Sequence, residues 1–213
     1  MKNICIAGCH TDAGKTHASA ALCAAFGFDY FKLMQAGEPT DSAFIKAFSD
    51  KYCTGELKAI KIHPAGATLK HACSPHVAMI KENVELNGLD IKLPSAQNTL
   101  IELAGGLFTP LDKRHFMIDY ALKHDLDVFL VAGEYLGSIN HTALSIEALK
   151  ARNINILGVI FSRCKDELSK DFLRSHYSYI NFFELGLIDG DLASVQNACI
   201  SLKEQILATK VLK

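Results

Sequence analysis

The segment Gly8-Cys9-His10-Thr11-Asp12-Ala13-Gly14-Lys15-Thr16 constrains this chain more than any other. It follows the apolar run Ile4 to Ala7, which reads as a buried strand, and it leads into Ala18 to Ala25, a run of good helix formers. A glycine-containing turn between strand and helix is the context in which Gly-Lys-Thr becomes a phosphate-binding loop. Backbone N–H groups wrap the phosphates, and the positive end of the new helix faces the anion. Lys15 then reaches the outer phosphates, and the Thr16 hydroxyl completes the shell of a magnesium ion. The spacing is irregular. Five residues, Cys9 to Ala13, separate Gly8 from Gly14 where four are usual, and Cys9 takes the usual glycine position. The plainer reading is a glycine turn before a helix with a lysine there by chance. Strand, loop, Gly-Lys-Thr and helix together favour nucleotide phosphate binding.

A chain of 213 residues fits one α/β domain, residues 1–213, better than two, and can bury a full core. Hydrophobic content of 49% with charged content of 21% is ordinary for a globular enzyme. A net charge of −1 gives no footprint for nucleic acid or an anionic membrane. Met1-Lys2-Asn3 runs straight into the first strand candidate, so no signal peptide is expected. No apolar run approaches the ~20 residues of a membrane span. The expectation is a soluble, cytoplasmic protein.

The seven cysteines, Cys5, Cys9, Cys23, Cys53, Cys73, Cys164 and Cys199, include no C-x-x-C pair. No cysteine–histidine spacing resembles a zinc site, and Cys5 and Cys9 read as small buried residues around the first strand.

Strand-like runs alternate with helical patterns, which argues for a mostly parallel sheet with helices on both faces. The strand candidates are 3–8, 28–34, 57–62, 98–104, 127–133, 155–161 and 181–186. Helices are expected over 15–26, 40–49, 74–82, 114–124, 139–152, 166–177 and 190–208. Thr40-Asp41 and Ser74-Pro75 are good helix starts, with capping hydroxyls and, in the second, proline at the first helical position. Residues 206–213 are expected to fray. Ligands of such sheets bind at the carboxyl ends of the strands. Four segments stand there: 8–16, 32–41, 102–109 and 133–141.

Lys32 lies among apolar residues in the second strand, so it must snorkel outward or meet an anion. Its place at the strand's carboxyl end, beside the phosphate loop, favours the anion. Asp41 reads as a first-turn helix carboxylate or, more sharply, as a magnesium ligand. Glu102 ends the apolar run Thr99-Leu100-Ile101; a carboxylate there is rarely structural unless paired. Opposite a phosphate loop it would hold magnesium directly or through water. Gly105-Gly106 lets backbone approach a ligand closely.

These segments together closely resemble dethiobiotin synthetase. That family's phosphate loop reads approximately G-T-D-T-x-V-G-K-T, with the same five-residue gap, and Thr11, Gly14, Lys15 and Thr16 match it. Its K-P-x-x-[ST]-G segment corresponds to Lys32 through Gly37, and S-P-H-x-A to Ser74 through Ala78. E-G-A-G-G-x-x-T-P-L corresponds to Glu102 through Leu111, and L-G-x-I-N-H-x to Leu136 through Thr142. Ala36 replaces the family's hydroxyl residue, Leu33 its proline and Leu103 its first glycine after the glutamate. The family's adenine-reading asparagine after the sixth strand has no counterpart in Val159 to Cys164. Purine recognition is then either loose or left to backbone groups around 162–164 and 184–187.

The resemblance implies a P-loop fold and an ATP- and Mg2+-dependent cyclo-ligase of biotin biosynthesis. It would close a ureido ring from 7,8-diaminononanoate and carbon dioxide. Lys15, Lys32 and Thr11 are then the residues at the carbamate and the transferring phosphate. Thr16, Asp41 and Glu102 hold magnesium. Asp12, Ala13, Gly14, Lys15, Thr16 and His17, with Glu102, Leu103, Ala104 and Gly105, form the nucleotide site. Lys32 and Ala36 face the substrate, and the family's homodimer brings Gly137, Ser138 and Asn140 to its carboxylate tail from the partner chain. Ser138 would also serve as an ordinary helix N-cap. The rival reading is a ParA- or MinD-like switch ATPase acting on protein partners, which would carry a lysine early in the loop where this chain has Cys9 and His10. Cobyrinic acid amidases need a further glutamine-hydrolysing domain. A catalytically silent binding module would have lost Lys32, Asp41 or Glu102.

Overall fold

The apolar run at the amino end becomes the middle of a sheet. In the computed structural model, which describes residues 2–212, β1 (Ile4–Gly8) is buried along its whole length. It pairs with β5 (Thr99–Gly106) on one side and β6 (Asp127–Ala132) on the other. Beyond β5 lies β2 (Asp29–Lys32), and beyond β6 lie β7 (Ile156–Ser162) and β8 (Phe182–Leu185). Every pairing in this six-stranded sheet is parallel, so all the carboxyl ends lie along one edge.

Side chains alternate across a strand. Ile4 and Ile6 therefore enter one core, while Cys5 and Ala7 enter the other. The first core is covered by α1 (Lys15–Phe26), α2 (Asp41–Tyr52) and α7 (Leu192–Thr209). The second is covered by α3 (Pro75–Glu82), α4 (Met117–Lys123), α5 (Ser138–Ala151) and α6 (Glu167–His176). Continuous apolar strands are what such double coverage requires. The alanine-rich α1 is buried from Ala18 through Phe26, its small side chains admitting β-sheet and neighbouring helices on all sides.

Four sequence expectations change. The run 28–34 splits: β2 stops at Lys32, and Met34–Ala36 (β3) pairs instead with Ala67–Leu69 (β4) in a separate two-stranded sheet. The run 57–62 forms no sheet strand. It packs Leu57 and Ile60 into the first core, closes over α1 through a Lys58 N–H to Ala24 carbonyl bond of 2.8 Å, and touches β2 at a single bridge, Tyr30 to Ile62. The helix expected from 114 begins at Met117, because Asp112 accepts the N–H groups of Arg114 and His115 and holds them in a turn. Residues expected to fray from 206 remain helical through Thr209, since Ile206 is fully buried; Lys213 lies outside the described residues.

Candidate active site

The loop after β1 is shaped by close approaches that only glycine permits. A Cβ on Gly8 would stand 2.8 Å from the His10 carbonyl oxygen. Gly14, at φ +96°, has the Ser162 hydroxyl 2.3 Å from where its Cβ would be. The Cys9 N–H donates to the Val131 carbonyl at 3.0 Å, tying the loop to β6, and the helix opens at Lys15. Lys15 Nζ folds back to the His10 carbonyl at 3.2 Å. Burial, reinforced by the charge of Lys32, lowers the Lys15 pKa from its ordinary value, so an arriving anion would stabilise the charge. Burial also pushes the Cys9 thiol up to about 11, which makes it a packing residue and not a nucleophile.

Beside the loop lies a buried polar cluster centred on Glu102. Lys32 Nζ donates to Glu102 Oε1 at 2.8 Å and stands 2.5 Å from Asp41 Oδ2. The Thr16 hydroxyl lies 3.0 Å from Glu102 Oε1 and 3.1 Å from Asp41 Oδ1. Ser19 Oγ and Tyr30 OH donate to Glu102 Oε2 at 2.7 and 3.1 Å. Burial opposes charge on Lys32, but Glu102 and Asp41 outweigh it and raise its pKa. The ammonium is thus fixed at neutral pH. Burial and then Glu102 drive the Tyr30 phenol up, so it stays a donor. Gln35 accepts the Asp41 N–H at 3.0 Å and so places the start of α2 over the cluster.

Loop and cluster share one cleft of about 1340 Å³ at the carboxyl edge of the sheet. Thr11, Asp12, Gly14, Lys15, Thr16, His17, Lys32, Ala36, Asp41, Glu102, Ala104 and Gly105 all line it. Ala13 and Leu103 are buried behind it, and Leu103 contributes only its carbonyl, 3.3 Å from Lys32 Nζ. Gly105, at φ +63°, turns the backbone so that the Thr109 hydroxyl accepts the Gly106 N–H at 2.9 Å. Gly137, Ser138 and Asn140 lie outside this chain's own cleft. The N-cap of α5 is Gly137, at φ +97°, and Ser138 is its first helical residue, contrary to the capping role expected for that serine. Thr40 caps α2 as expected, through the Ala43 N–H. Ser74 starts α3 but turns its hydroxyl to His76 Nδ1 at 2.9 Å and caps nothing.

Sequence reasoning missed Ser19, Tyr30, Gln35 and Arg163. Two of them carried a signal. Ser19 is three residues beyond Thr16 on one helix face, and Tyr30 is two residues before Lys32 on one strand face.

Hard oxygen donors, the Thr16 hydroxyl with a carboxylate oxygen of Asp41 and of Glu102 each about 3 Å from it, suit magnesium, which keeps waters and phosphate oxygens for its remaining positions. Among the described residues no group of three or more His, Cys, Asp or Glu is built to hold a metal by itself. The donor set therefore fits a cation that arrives with a nucleotide. No described helix is long and apolar enough to cross a membrane.

Residues 2–192 match the family model described as an AAA domain. The chain is 50% identical over 186 residues to the ATP-dependent dethiobiotin synthetase of Campylobacter jejuni strain 81-176, covering 87% of this chain and 88% of that protein. It is 40% identical over 182 residues to the enzyme of the same name from Cytophaga hutchinsonii, covering 84% and 85%. Among solved structures, the cell division ATPase MinD of Pyrococcus furiosus superposes with a TM-score of 0.52 at 15% identity, covering 98% of this chain and 100% of that one. A ParA family ATPase from Chlorobium tepidum gives 0.52 at 13%, covering 100% and 94%. At such identities the last two share the P-loop fold alone.

Proposed function

The chain belongs to the dethiobiotin synthetase family of ATP-dependent ligases, and from that premise we propose that its cleft closes the ureido ring of dethiobiotin. The convergence of Lys15, Thr16, Lys32, Asp41 and Glu102 in one cleft carries this reading. Carbon dioxide is captured by one amine of 7,8-diaminononanoate as a carbamate. A carbamate oxygen attacks the γ-phosphorus, displacing ADP and giving a carbamic–phosphoric anhydride. The second amine attacks the carbonyl carbon, phosphate leaves with the electron pair of the C–O bond, and the amine proton goes to solvent.

The difficulty is that two anions must meet, and bringing them together costs energy unless cations stand between them. Lys15 and Lys32 supply fixed positive charge on either side, both held by the fold and already desolvated. Thr11, exposed at the loop's outer turn, is positioned to donate to the carbamate or phosphate. Ala36 is the substrate-side wall that lacks a hydroxyl. The remaining catalysis is positioning, so no side-chain nucleophile is needed.

Thr16, Asp41 and Glu102 would hold Mg2+, which would neutralise charge on the phosphates. Lys32, which lines the cleft beside the two carboxylates, would face the substrate.

The active form is a homodimer. Leu136 is fully exposed, and Leu144, Phe108 and Phe116 are exposed apolar residues around the cleft or its rim, which supports their being covered by a second copy. Gly137, Ser138 and Asn140 would then meet the substrate tail in the partner's cleft. One central sheet with helices on both faces supports a single domain. Seven free thiols agree with a reducing, cytoplasmic setting. Small molecules are the partners in this reading, with no role for nucleic acid or membrane.

The test is phosphate release with ATP, Mg2+ and bicarbonate, with and without 7,8-diaminononanoate. Release that requires the diamine, matched by dethiobiotin in the mass spectrum, is expected. Release indifferent to the diamine, with no dethiobiotin, would overturn the reading in favour of a switch ATPase.

A further inference from the structure

We propose that Arg163 clamps the α-phosphate of the bound nucleotide, a role that rests on the nucleotide reading above. The residue follows β7 directly, at the carboxyl edge of the sheet, and its side chain lines the cleft. Its backbone holds φ +54° without being glycine, a left-handed conformation that bulky residues rarely adopt and that tends to mark functional positions. The guanidinium lies on the phosphate loop. Nη2 donates to the Asp12 carbonyl at 3.0 Å and stands 3.9 Å from where a Cβ on Gly14 would be.

The two cations of the loop serve different ends of it. Lys15 has Lys32, Glu102, Asp41 and Asp12 as its charged neighbours, the side where phosphate transfer takes place. Lys15 Nζ lies against the His10 carbonyl and 3.0 Å from where a Cβ on Gly8 would be, whereas Arg163 Nη2 lies against the Asp12 carbonyl beside Gly14. His17 follows the Gly-Lys-Thr directly, on the first turn of α1. Since the lysine of such a loop reaches the β- and γ-phosphates, the Arg163 side faces the phosphate nearest the nucleoside.

A guanidinium has five N–H donors and no acceptor, and the Asp12 carbonyl uses one. Donors alone match phosphate oxygens in forked pairs, whereas the amine edge of adenine offers a donor in return. Arg163 therefore binds without regard to the base, and it supplies affinity in a chain whose β7 end carries no asparagine for the adenine ring.

The experiment is titration calorimetry of Mg–ADP and Mg–GDP against the wild-type chain, Arg163→Gln and Arg163→Lys. It is repeated with each diastereomer of ADP carrying sulfur in place of one α-phosphate oxygen. Arg163→Gln is expected to weaken ADP and GDP by the same factor, about tenfold for one charge-assisted contact, with part restored by Arg163→Lys. One thio-diastereomer should bind the wild type less well than ADP, and that difference should vanish in Arg163→Gln. A loss confined to one base would overturn the proposal in favour of base reading. A thio effect retained in full would reduce Arg163 to a strut for the Asp12 turn, and no loss at all would leave it a solvent-facing arginine. A folded wild type that binds neither nucleotide would overturn the function reading itself.

Discussion

Lys32 and Glu102 stand opposite each other in register on neighbouring parallel strands, and their side chains meet with Nζ 2.8 Å from Oε1. Both are buried, so the pair stands in place of the water that each charge gives up. Register places a cation and an anion side by side at the carboxyl edge, where β2 and β5 deliver them to the phosphate loop.

Removing the cation should therefore show twice. Lys32→Ala is expected to lower turnover by at least ~10²-fold, the scale for loss of one preorganised charge donor, with nucleotide affinity largely kept. It also leaves Glu102 buried with only its neutral donors Thr16, Ser19 and Tyr30, at a cost of about 3 kcal/mol. For a chain of this size that is a Tm lower by roughly 6–12 °C. Steady-state kinetics at saturating ATP and a thermal melt check the two arms; near-normal turnover would remove Lys32 from the mechanism.

Asp112 supplies a pH signature remote from the reaction. Burial alone would raise its pKa, but the His115 ring and the N–H groups of Arg114, Gly88 and His115 outweigh that and hold it at about 2. An unfolded aspartate titrates near 4, so folding favours the ionised form. Its contribution, about 2 kcal/mol, is whole above pH ~4 and is lost as the pH falls toward the folded value. Asp112→Asn should lower stability by about that amount at pH 7, and the gap from wild type should narrow steadily below pH ~4. Denaturant melts of both proteins from pH 7 down to pH ~3 measure it; a gap that ignores pH would contradict the assignment.

Gly14 and Gly137 share a left-handed backbone and differ in what surrounds them. At Gly14 an added methyl meets the Ser162 hydroxyl at 2.3 Å, while at Gly137 nothing stands within 4 Å. Gly137→Ala is expected to cost only the conformational term, about 1–2 kcal/mol. Gly14→Ala adds a clash between loop and β7 and should abolish ADP binding as well as destabilise the chain further. Calorimetric titration and melts of the pair decide it: equal effects at the two sites would mean that β7 does not press on the phosphate loop.

Most of the parallel sheet could be read from sequence because its strands are buried on both faces and carry unbroken apolar runs. The phosphate loop could be read because three residue types at fixed spacing do a definite physical task. The runs 28–34 and 57–62 misled for the opposite reason. Each is apolar enough for a strand, but what separates β2 from β3, and keeps 57–62 out of the sheet, is pairing with segments far away in the chain. Lys32, Asp41 and Glu102 stood out as charges in apolar or strand-end settings. Ser19 and Tyr30 signalled only by sharing a face with Thr16 and Lys32, and Gln35 not at all, because a hydroxyl or amide in a core strand or helix is ordinary until the group it bonds is placed beside it. Arg163 gave no sign either: an arginine after a strand is unremarkable until its backbone conformation and its contact with Asp12 are seen.

The exposed start of α5 yields a test of whether sites are shared between subunits. If Asn140 serves the partner's cleft, a chain with Lys15→Ala has a dead phosphate loop but an intact tail contact. A chain with Asn140→Asp has an intact loop and sets a negative charge against the substrate carboxylate. Each alone should be nearly inactive. Refolded together in equal amounts, half the twofold dimers are mixed, and one of the two clefts in each mixed dimer combines a good loop with a good contact. Activity should return to about a quarter of wild type, since closed twofold symmetry fixes those proportions. Were Asn140 to act in its own chain, both clefts of the mixed dimer would stay defective and mixing would restore nothing. Dethiobiotin formation before and after co-refolding, with light scattering to confirm dimers, separates the two arrangements.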